Sequence, residues 1–462
     1  MITGHLGLLV DLYQVSMLYT YWKNNMAQRK AVFNLYFRKA PYSDQYAIAC
    51  GLGNVIQYIE EQREFWFDSQ DLNYLNILTG NDEQKLFSRE FLDFLGNMNF
   101  ECSIDAIPEG TAVFPNEPLL RVSGPLYQCQ LLESVLLNKI NFSTLIATKA
   151  HRIVRAAQGD PVYEFGLRRA QGMGCLEASR ATYIGGCAGT SNVLAGKIYN
   201  IPVKGTMAHS FVMSFESEQE AMNKWVESMP NNSILLVDTY DTIQGITNAI
   251  NAGKKMRKEN CLAGIRLDSG DLCELSKVAR RMLDEAGFTN TKIIASNDLD
   301  EIEIMNLRAA GARIDAWGVG TNLITGGDQS SIGGIFKLAA IENEKGEMRD
   351  VMKISASDTS KSSLPGIQKV RRFKYLNGIS AYDLIYDERD GAMISGNLIP
   401  YEDLLVGVYD AGKLVYKEPS LEKIRKVSAK SLSDFDWETT PRYTVMIDEK
   451  LLERKGKLLE KH

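Results

Sequence analysis

Carboxylates, arginines, one histidine and a glycine-rich turn recur in this sequence just after short apolar runs. Asp238 and Asp241 stand three apart in VDTYDT, and Asp268 and Asp271 in RLDSGD. Either pair can turn oxygens toward a hard divalent cation such as Mg²⁺, directly or through water, as a phosphate-bound metal requires. The same residues also serve as N-caps of following helices. Arg168, in FGLRR, and Arg266 can each hold a carboxylate or phosphate through two parallel hydrogen bonds, or close a structural ion pair. The turn Gly318-Val319-Gly320-Thr321 can offer backbone N–H groups to a phosphate. The histidines are His5, His151, His209 and His462, and of these only His209, in GTMAHS with Thr206, follows an apolar run. Histidine there suits a nucleophile or proton carrier at neutral pH. Thr190 and Ser191 open a helix after GGCAG, and Asn297 and Asp298 follow another apolar run.

Those groups need elements to hold them. Apolar runs at 162–165, 203–205, 234–237, 264–267, 293–295, 316–319 and 335–340 read as strands, and most gaps between them hold a helix-compatible segment. Repeated strand–helix units imply a parallel sheet, and seven in about 215 residues fit a (β/α) barrel better than a doubly wound sheet. In a barrel, active-site residues gather at the C-terminal strand ends, where all of these groups lie. Polar loop tips alone prove little, since such loops also cap helices and turn the chain; seven on one face say more. Before the barrel, helices are expected near 10–22, 54–67 and 83–95, with strands at 31–38, 103–106 and 119–122. The expected division is an N-terminal α/β domain over 1–125, a catalytic barrel over 126–342, and a segment over 343–462 whose short strands return to the first domain before a helical tail. Within that last segment, 343–349 reads as a hairpin loop, and the basic run 353–374 as a phosphate-facing loop or a solvated surface, the surface being favoured.

The 462 residues are 45% hydrophobic and 24% charged, enough apolar material for a multidomain globular protein. A formal net charge of -6 disfavours a broad nucleic-acid-binding surface. Seven dispersed cysteines without a C-x-x-C pair suggest reduced thiols in a cytoplasmic protein. The opening MITGHLGLLVDLYQ lacks a basic start, its apolar run is broken by Asp11, and no stretch reaches the roughly 20 apolar residues of a membrane span. Neither a secretory signal nor a transmembrane helix is expected.

VDLYQVSML, YEFGLRRAQG, AGTSNVLAG, GTMAHSFVMSF, VDTYDT, IRLDSGDL, DAWGVGTNL and GGIFKLAAI occur in that order from about residue 10 to residue 341, followed by KSSLPGIQKV. The ordered set resembles the nicotinate phosphoribosyltransferase family. The resemblance implies an irregular α/β barrel of the type II phosphoribosyltransferase kind packed on a mixed α/β domain. It implies NAD salvage: nicotinate, phosphoribosyl pyrophosphate and ATP give nicotinate mononucleotide, pyrophosphate, ADP and phosphate, with Mg²⁺ as cofactor. It also implies a homodimer with shared active sites. By the same resemblance His209 is the residue that ATP phosphorylates. Tyr13, supplied across the dimer, stacks on the pyridine ring, and Phe165 stacks on its other face. Arg168, Thr206 and Arg266 lie near nicotinate and pyrophosphate, and Asp238 and Asp268 near ribose and Mg²⁺. Gly318, Gly320 and Thr321 form the turn that takes the 5′-phosphate.

The closely related nicotinamide enzyme carries an aspartate where this chain has Ser191. An aspartate accepts from an amide and repels a carboxylate, so the neutral Ser191 favours nicotinate. Other readings are a nicotinamide or a quinolinate phosphoribosyltransferase, a barrel aldolase using Lys204 or Lys337, and a catalytically silent barrel acting as a binding protein.

Overall fold

The protein is described from a computed structural model covering residues 5–64, 66–256, 261–355, 362–392, 400–435 and 442–461. The chain divides into two compact units, 1–145 with 331–462, and 146–330. The division falls inside the long helix Glu133–Ala156.

The first unit is built on a seven-stranded sheet that interleaves both ends of the chain. Its interior strand Lys30–Phe37 is buried at every position after Lys30, the pattern of a strand covered on both faces. On one side it pairs antiparallel with Leu120–Pro125, and on the other with Gly334–Glu342. The latter run was expected to close the series of barrel strands. Instead it sets Phe336 against Phe33, rings stacked with centroids 4.9 Å apart. A residue's apolar character fixes that it will be buried, not which sheet buries it. The tight turn after it, Asn343–Gly346, leads into Met348–Asp350, as the hairpin expectation had it.

A four-stranded sheet comes next, with Gln368–Lys374 paired to Ser380–Asp387. Here the expected solvated basic surface is corrected over 369–374, while Lys353 is exposed as expected and 356–361 lie outside the described residues. Lys369 pairs with Glu388, Arg371 with Asp403, Arg372 with Asp383, and Lys374 with Glu402 and Asp434. Two helices, Leu421–Ser433 and Glu449–Glu460, end the unit. In the N-terminal part, the expected helix over 83–95 begins only at Arg89, where Ser88 accepts from the Phe91 N–H. A further helix, Ser69–Ile77, is capped by Asp68.

The second unit is an irregular α/β barrel. Its parallel strands run in the order Gly189–Thr190, Val162–Glu164, Ala316–Val319, Lys292–Ala295, Gly264–Leu267 and Ile234–Leu236. Five expected strands are present. The run at 203–205 forms only a single parallel bridge, Val203 to Thr190, while Thr190, expected with Ser191 to open a helix, belongs to the strand Gly189–Thr190. Leu235, Leu236, Ile265, Leu267, Ile293, Ala295, Trp317 and Val319 are all buried, giving the near-continuous apolar strands of a parallel sheet covered by helices. Asp241, Asp271 and Asp300 each accept from a backbone N–H to start the helices Thr242–Lys254, Leu272–Glu285 and Glu301–Ala309. No described helix is long and apolar enough to cross a membrane.

Candidate active site

The C-terminal ends of the barrel strands surround a cavity of about 420 Å³. Phe165, Arg168, Ser191, Thr206, Arg266, Asp268, Gly318, Gly320 and Thr321 all line it, although they span more than 150 positions of sequence. His209 and Asp238 join through Asp268. The His209 Nε2 lies 3.5 Å from Asp268 Oδ2, and the Asp268 backbone N–H donates to Asp238 Oδ2 at 2.8 Å. Tyr13 belongs to the other unit, on the helix Leu12–Lys23, with nearly half its surface exposed.

Arg266, the last residue but one of the strand Gly264–Leu267, reaches sideways. Its Nη1 donates to Thr206 Oγ1 at 2.5 Å and to the Met207 carbonyl at 3.2 Å, while Nη2 stays 3.8 Å from Asp268. Its Nε is buried with no hydrogen-bond partner. Burial pulls the guanidinium pKa down against the opposing pull of Asp268 and Asp238. Such a cation keeps donor capacity for an incoming anion.

The two D-x-x-D pairs divide their labour. Asp241 and Asp271, second in each pair, cap helices. Asp238 and Asp268, first in each pair, sit at neighbouring strand ends. Asp238 Oδ2 accepts from the Asp268 N–H and from Ser269 Oγ at 2.7 Å, while its Oδ1 is buried without a partner. An orphan carboxylate oxygen next to Asp268, which lines the cavity, is a place for a ligand's hydroxyl or a cation. Asp268 Oδ1 accepts a short bond from Ser296 Oγ. His209, the first residue of the short helix His209–Met213, has its Nδ1 3.2 Å from Thr239 Oγ1 and its side chain 41% exposed, so reagents can reach it.

The flat part of the site depends on missing side chains. A Cβ on Gly318 would come within 2.7 Å of the Phe165 ring, and one on Gly166 within 2.6 Å of Ile324. Phe165 is fixed from behind by its N–H, which donates to the Val319 carbonyl at 2.8 Å, and its ring lies near-parallel to Tyr163. Gly320 and Thr321 line the cavity where the short helix Thr321–Ile324 begins.

Several participants escape a reading of the sequence in part or in whole. Ser296 and Thr239 orient Asp268 and His209. Asn297 and Asp298 line the cavity at φ 96 and 26, a conformation that costs non-glycine residues of order 1–3 kcal/mol and tends to sit at functional sites. Asn322 holds that turn by donating to the Asp298 and Leu299 carbonyls. Glu164, the last residue of its strand, is fully buried; a carboxylate inside an apolar run was the available signal. The remaining candidates fall elsewhere. His151 is buried in the long helix, its pKa lowered to about 3 by burial and nearby arginines, and His5 bonds to Asp71. His462 lies outside the described residues. Lys204 is exposed and Lys337 belongs to the antiparallel sheet of the first unit, so neither is a lysine buried in a barrel strand.

Known proteins similar to this chain concentrate in one family. Residues 8–141 match the nicotinate phosphoribosyltransferase N-terminal domain model, and residues 161–380 match the nicotinate phosphoribosyltransferase family model. The nicotinate phosphoribosyltransferase of Bacillus subtilis is 43% identical over 447 residues, covering 93% of this chain and 89% of the relative. That of Dictyostelium discoideum is 36% identical, covering 85% and 73%. The crystal structure of human nicotinic acid phosphoribosyltransferase superposes with a TM-score of 0.82 at 27% identity, over 97% of this chain and 99% of the human one. A nicotinate-nucleotide pyrophosphorylase from Pyrococcus furiosus shares the fold, with a TM-score of 0.72 at 21% identity over 93% and 95%.

Proposed function

This chain belongs to the nicotinate phosphoribosyltransferase family, and from that premise we propose how its barrel cavity carries out the reaction. The enzyme transfers a phosphoribosyl group from phosphoribosyl pyrophosphate to nicotinate in NAD salvage, forming nicotinate mononucleotide and pyrophosphate, with the ATP coupling typical of the family. Small molecules are its substrates. The net charge of -6 supports no role for nucleic acid, and we place the enzyme in the cytoplasm with its metabolite substrates, away from membrane.

The observation that carries the site assignment is the unsaturated polar cluster beside an aromatic face. Phe165, backed by Gly318, takes one face of the pyridine ring and holds its nitrogen toward the ribose C1. Tyr13 of the partner subunit takes the other face, in a homodimer with shared sites. Its own exposure, with Leu9 and Leu12 exposed beside it, supports a covering surface. Burial and then Glu133 push the Tyr13 pKa up to about 12, so the ring stays neutral at physiological pH. Arg168, Thr206 and Arg266 bind the base's carboxylate and the departing pyrophosphate. Ser191 offers a neutral hydroxyl near the carboxylate. Gly318, Gly320 and Thr321 hold the 5′-phosphate through backbone N–H groups.

In the displacement the C1–N bond forms as the C1–O bond to pyrophosphate breaks, and positive charge grows on the sugar. Asp238 and Asp268 favour that cation. The orphan Asp238 Oδ1 fits a hard cation, and Asp238 with Asp268 would hold Mg²⁺, which supplies charge neutralisation to the pyrophosphate. His209 takes the γ-phosphoryl group of ATP on a ring nitrogen, releasing ADP, and water later returns it as phosphate. Phosphohistidine beside Asp268 alters the charge seen by pyrophosphate, which is how the coupling reaches the transfer step.

The test incubates the protein with phosphoribosyl pyrophosphate, Mg²⁺ and either nicotinate or nicotinamide, with and without ATP, beside His209→Ala. Mononucleotide from nicotinate, stimulated by ATP in the parent and not in the variant, is the expected result. Equal ATP stimulation of both proteins would remove His209 from the coupling. Product from nicotinamide instead would overturn the Ser191 argument.

A further inference from the structure

Glu164 stands at the end of the first barrel strand with no exposed surface. Its two carboxylate oxygens receive donors from three places. Oε1 accepts a short bond from the Gly166 N–H; Oε2 accepts from Ser179 Oγ at 3.0 Å and Thr190 Oγ1 at 2.5 Å. Its backbone carbonyl accepts from the Ser191 N–H at 2.9 Å. The net closes through Asn192, whose N–H donates to Thr190 Oγ1 at 2.9 Å and whose Nδ2 donates to Ser179 Oγ at 3.4 Å. Asn192 Oδ1 in turn caps the helix Val193–Tyr199.

Glu164 therefore ties together the loop bearing Phe165 and Arg168 and the loop bearing Ser191. Among the described residues its partners are hydrogen-bond donors, not cations. An apolar side chain of similar size would fill the same space without desolvating a carboxylate. What the carboxylate adds is direction, because two oxygens aimed at two loops allow one relative placement of them.

We propose that Glu164 is a positioning residue that fixes the Phe165 and Ser191 loops against one another, and thereby sets the affinity and selectivity for the pyridine base. This rests on the reading that the cavity takes nicotinate. Glu164 touches no substrate itself; it acts through Gly166, Thr190 and the Ser191 backbone.

The experiment measures KM for nicotinate and for phosphoribosyl pyrophosphate, kcat per folded enzyme, the nicotinate-to-nicotinamide ratio of kcat/KM, and Tm, for the parent, Glu164→Ala and Glu164→Gln. Alanine leaves three buried donors without an acceptor, so KM for nicotinate should rise roughly tenfold or more, with a smaller change in kcat and a reduced preference for nicotinate. Glutamine keeps an acceptor for the Gly166 N–H, and its amide can donate to the two hydroxyls once they reverse, so it should recover most of that loss. A lowered Tm with unchanged KM and unchanged base preference in the folded fraction would reduce Glu164 to a structural residue and overturn the proposal. Should Glu164→Ala not fold, Thr190→Val removes one donor at nearly constant shape, and an unchanged nicotinate KM there overturns it equally. If the parent makes no mononucleotide from nicotinate, the substrate reading fails first and this inference falls with it. A parent active on nicotinate beside variants of unchanged KM defeats the positioning role alone.

Discussion

Arg372, buried in the first unit, and Arg266, half-buried in the barrel, both face aspartates, and they differ in what is left over. Arg372 Nε and Nη2 donate to the two oxygens of Asp383 at 2.9 and 2.6 Å, and Nη2 donates again to the Ala112 carbonyl at 2.9 Å. Tyr443 donates its hydroxyl to Asp383 at 2.8 Å, and the rings of Phe114, Phe435 and Tyr443 surround the guanidinium. Arg266 instead keeps its nearest aspartate at 3.8 Å, has an unused Nε, and lies near Asp238 with its unused Oδ1. The first cluster spends its groups on each other and holds a fold. The second leaves them unspent beside a cavity, so its stabilisation is realised only when a charged ligand arrives.

The contrast is broken most severely at Arg372. Arg372→Met strands Asp383, which has no exposed surface, beside Glu117, and should cost about 3–5 kcal/mol of stability, read as a shift in the urea midpoint. Activity per folded molecule should barely move; a large kcat loss with intact stability would erase the distinction between the clusters. Arg266→Lys is the converse. Losing the fork should lower kcat/KM by roughly 10²–10³-fold, with a near-parental Tm. A collapse in Tm would show that Arg266 is structural after all.

Ser191→Asp sharpens the comparison at the cavity's neutral edge. It should reduce kcat/KM for nicotinate by roughly tenfold or more through like-charge repulsion, while nicotinamide loses less. Equal losses on both bases would remove the hydroxyl from substrate selection. The smallest effect belongs to Glu117. Burial, and then Asp383, raise its pKa well above the ordinary 4.5. The folded state therefore keeps a proton that the unfolded chain releases. Its contribution is fully present below the unfolded pKa and is lost as pH rises toward the folded value. Glu117→Gln should flatten that decline, measured by urea unfolding at a series of pH values from the acid side through neutrality. A parent whose stability rises over that range relative to the variant would reverse the sign.

Much of the site is legible because barrel chemistry concentrates where strands end. Arg168, Ser191, Thr206, Asp268, Gly320 and Thr321 stand beyond strand ends, Arg266 and Gly318 stand one residue before them, and all of them line one cavity. His209 is set apart from the other three histidines by the same position and lies beside Asp268. Glu164 escapes notice because it falls inside the expected apolar run 162–165, although it closes the observed strand Val162–Glu164. Asn297 and Asp298 are recognisable as loop residues, but their positive φ values are tertiary facts. The basic run near 370 reads wrongly as solvated because its partners Asp383, Glu388 and Asp403 lie on neighbouring strands or just beyond them, at separations no local pattern reveals.

The sequence by itself determined the local physics: which runs are apolar enough to be strands, where carboxylates and hydroxyls can start helices, and which reactive types stand at strand ends. These depend on neighbours within a few residues. Tertiary structure alone decided that Asp241 and Asp271 cap helices while Asp238 and Asp268 face the site, that Gly334–Glu342 joins the sheet of Lys30–Phe37, and that Glu164 binds two loops at once. Each of those outcomes turns on a hydrogen-bond partner or a packing face brought from far along the chain, and the energy of a buried polar group is settled by that partner.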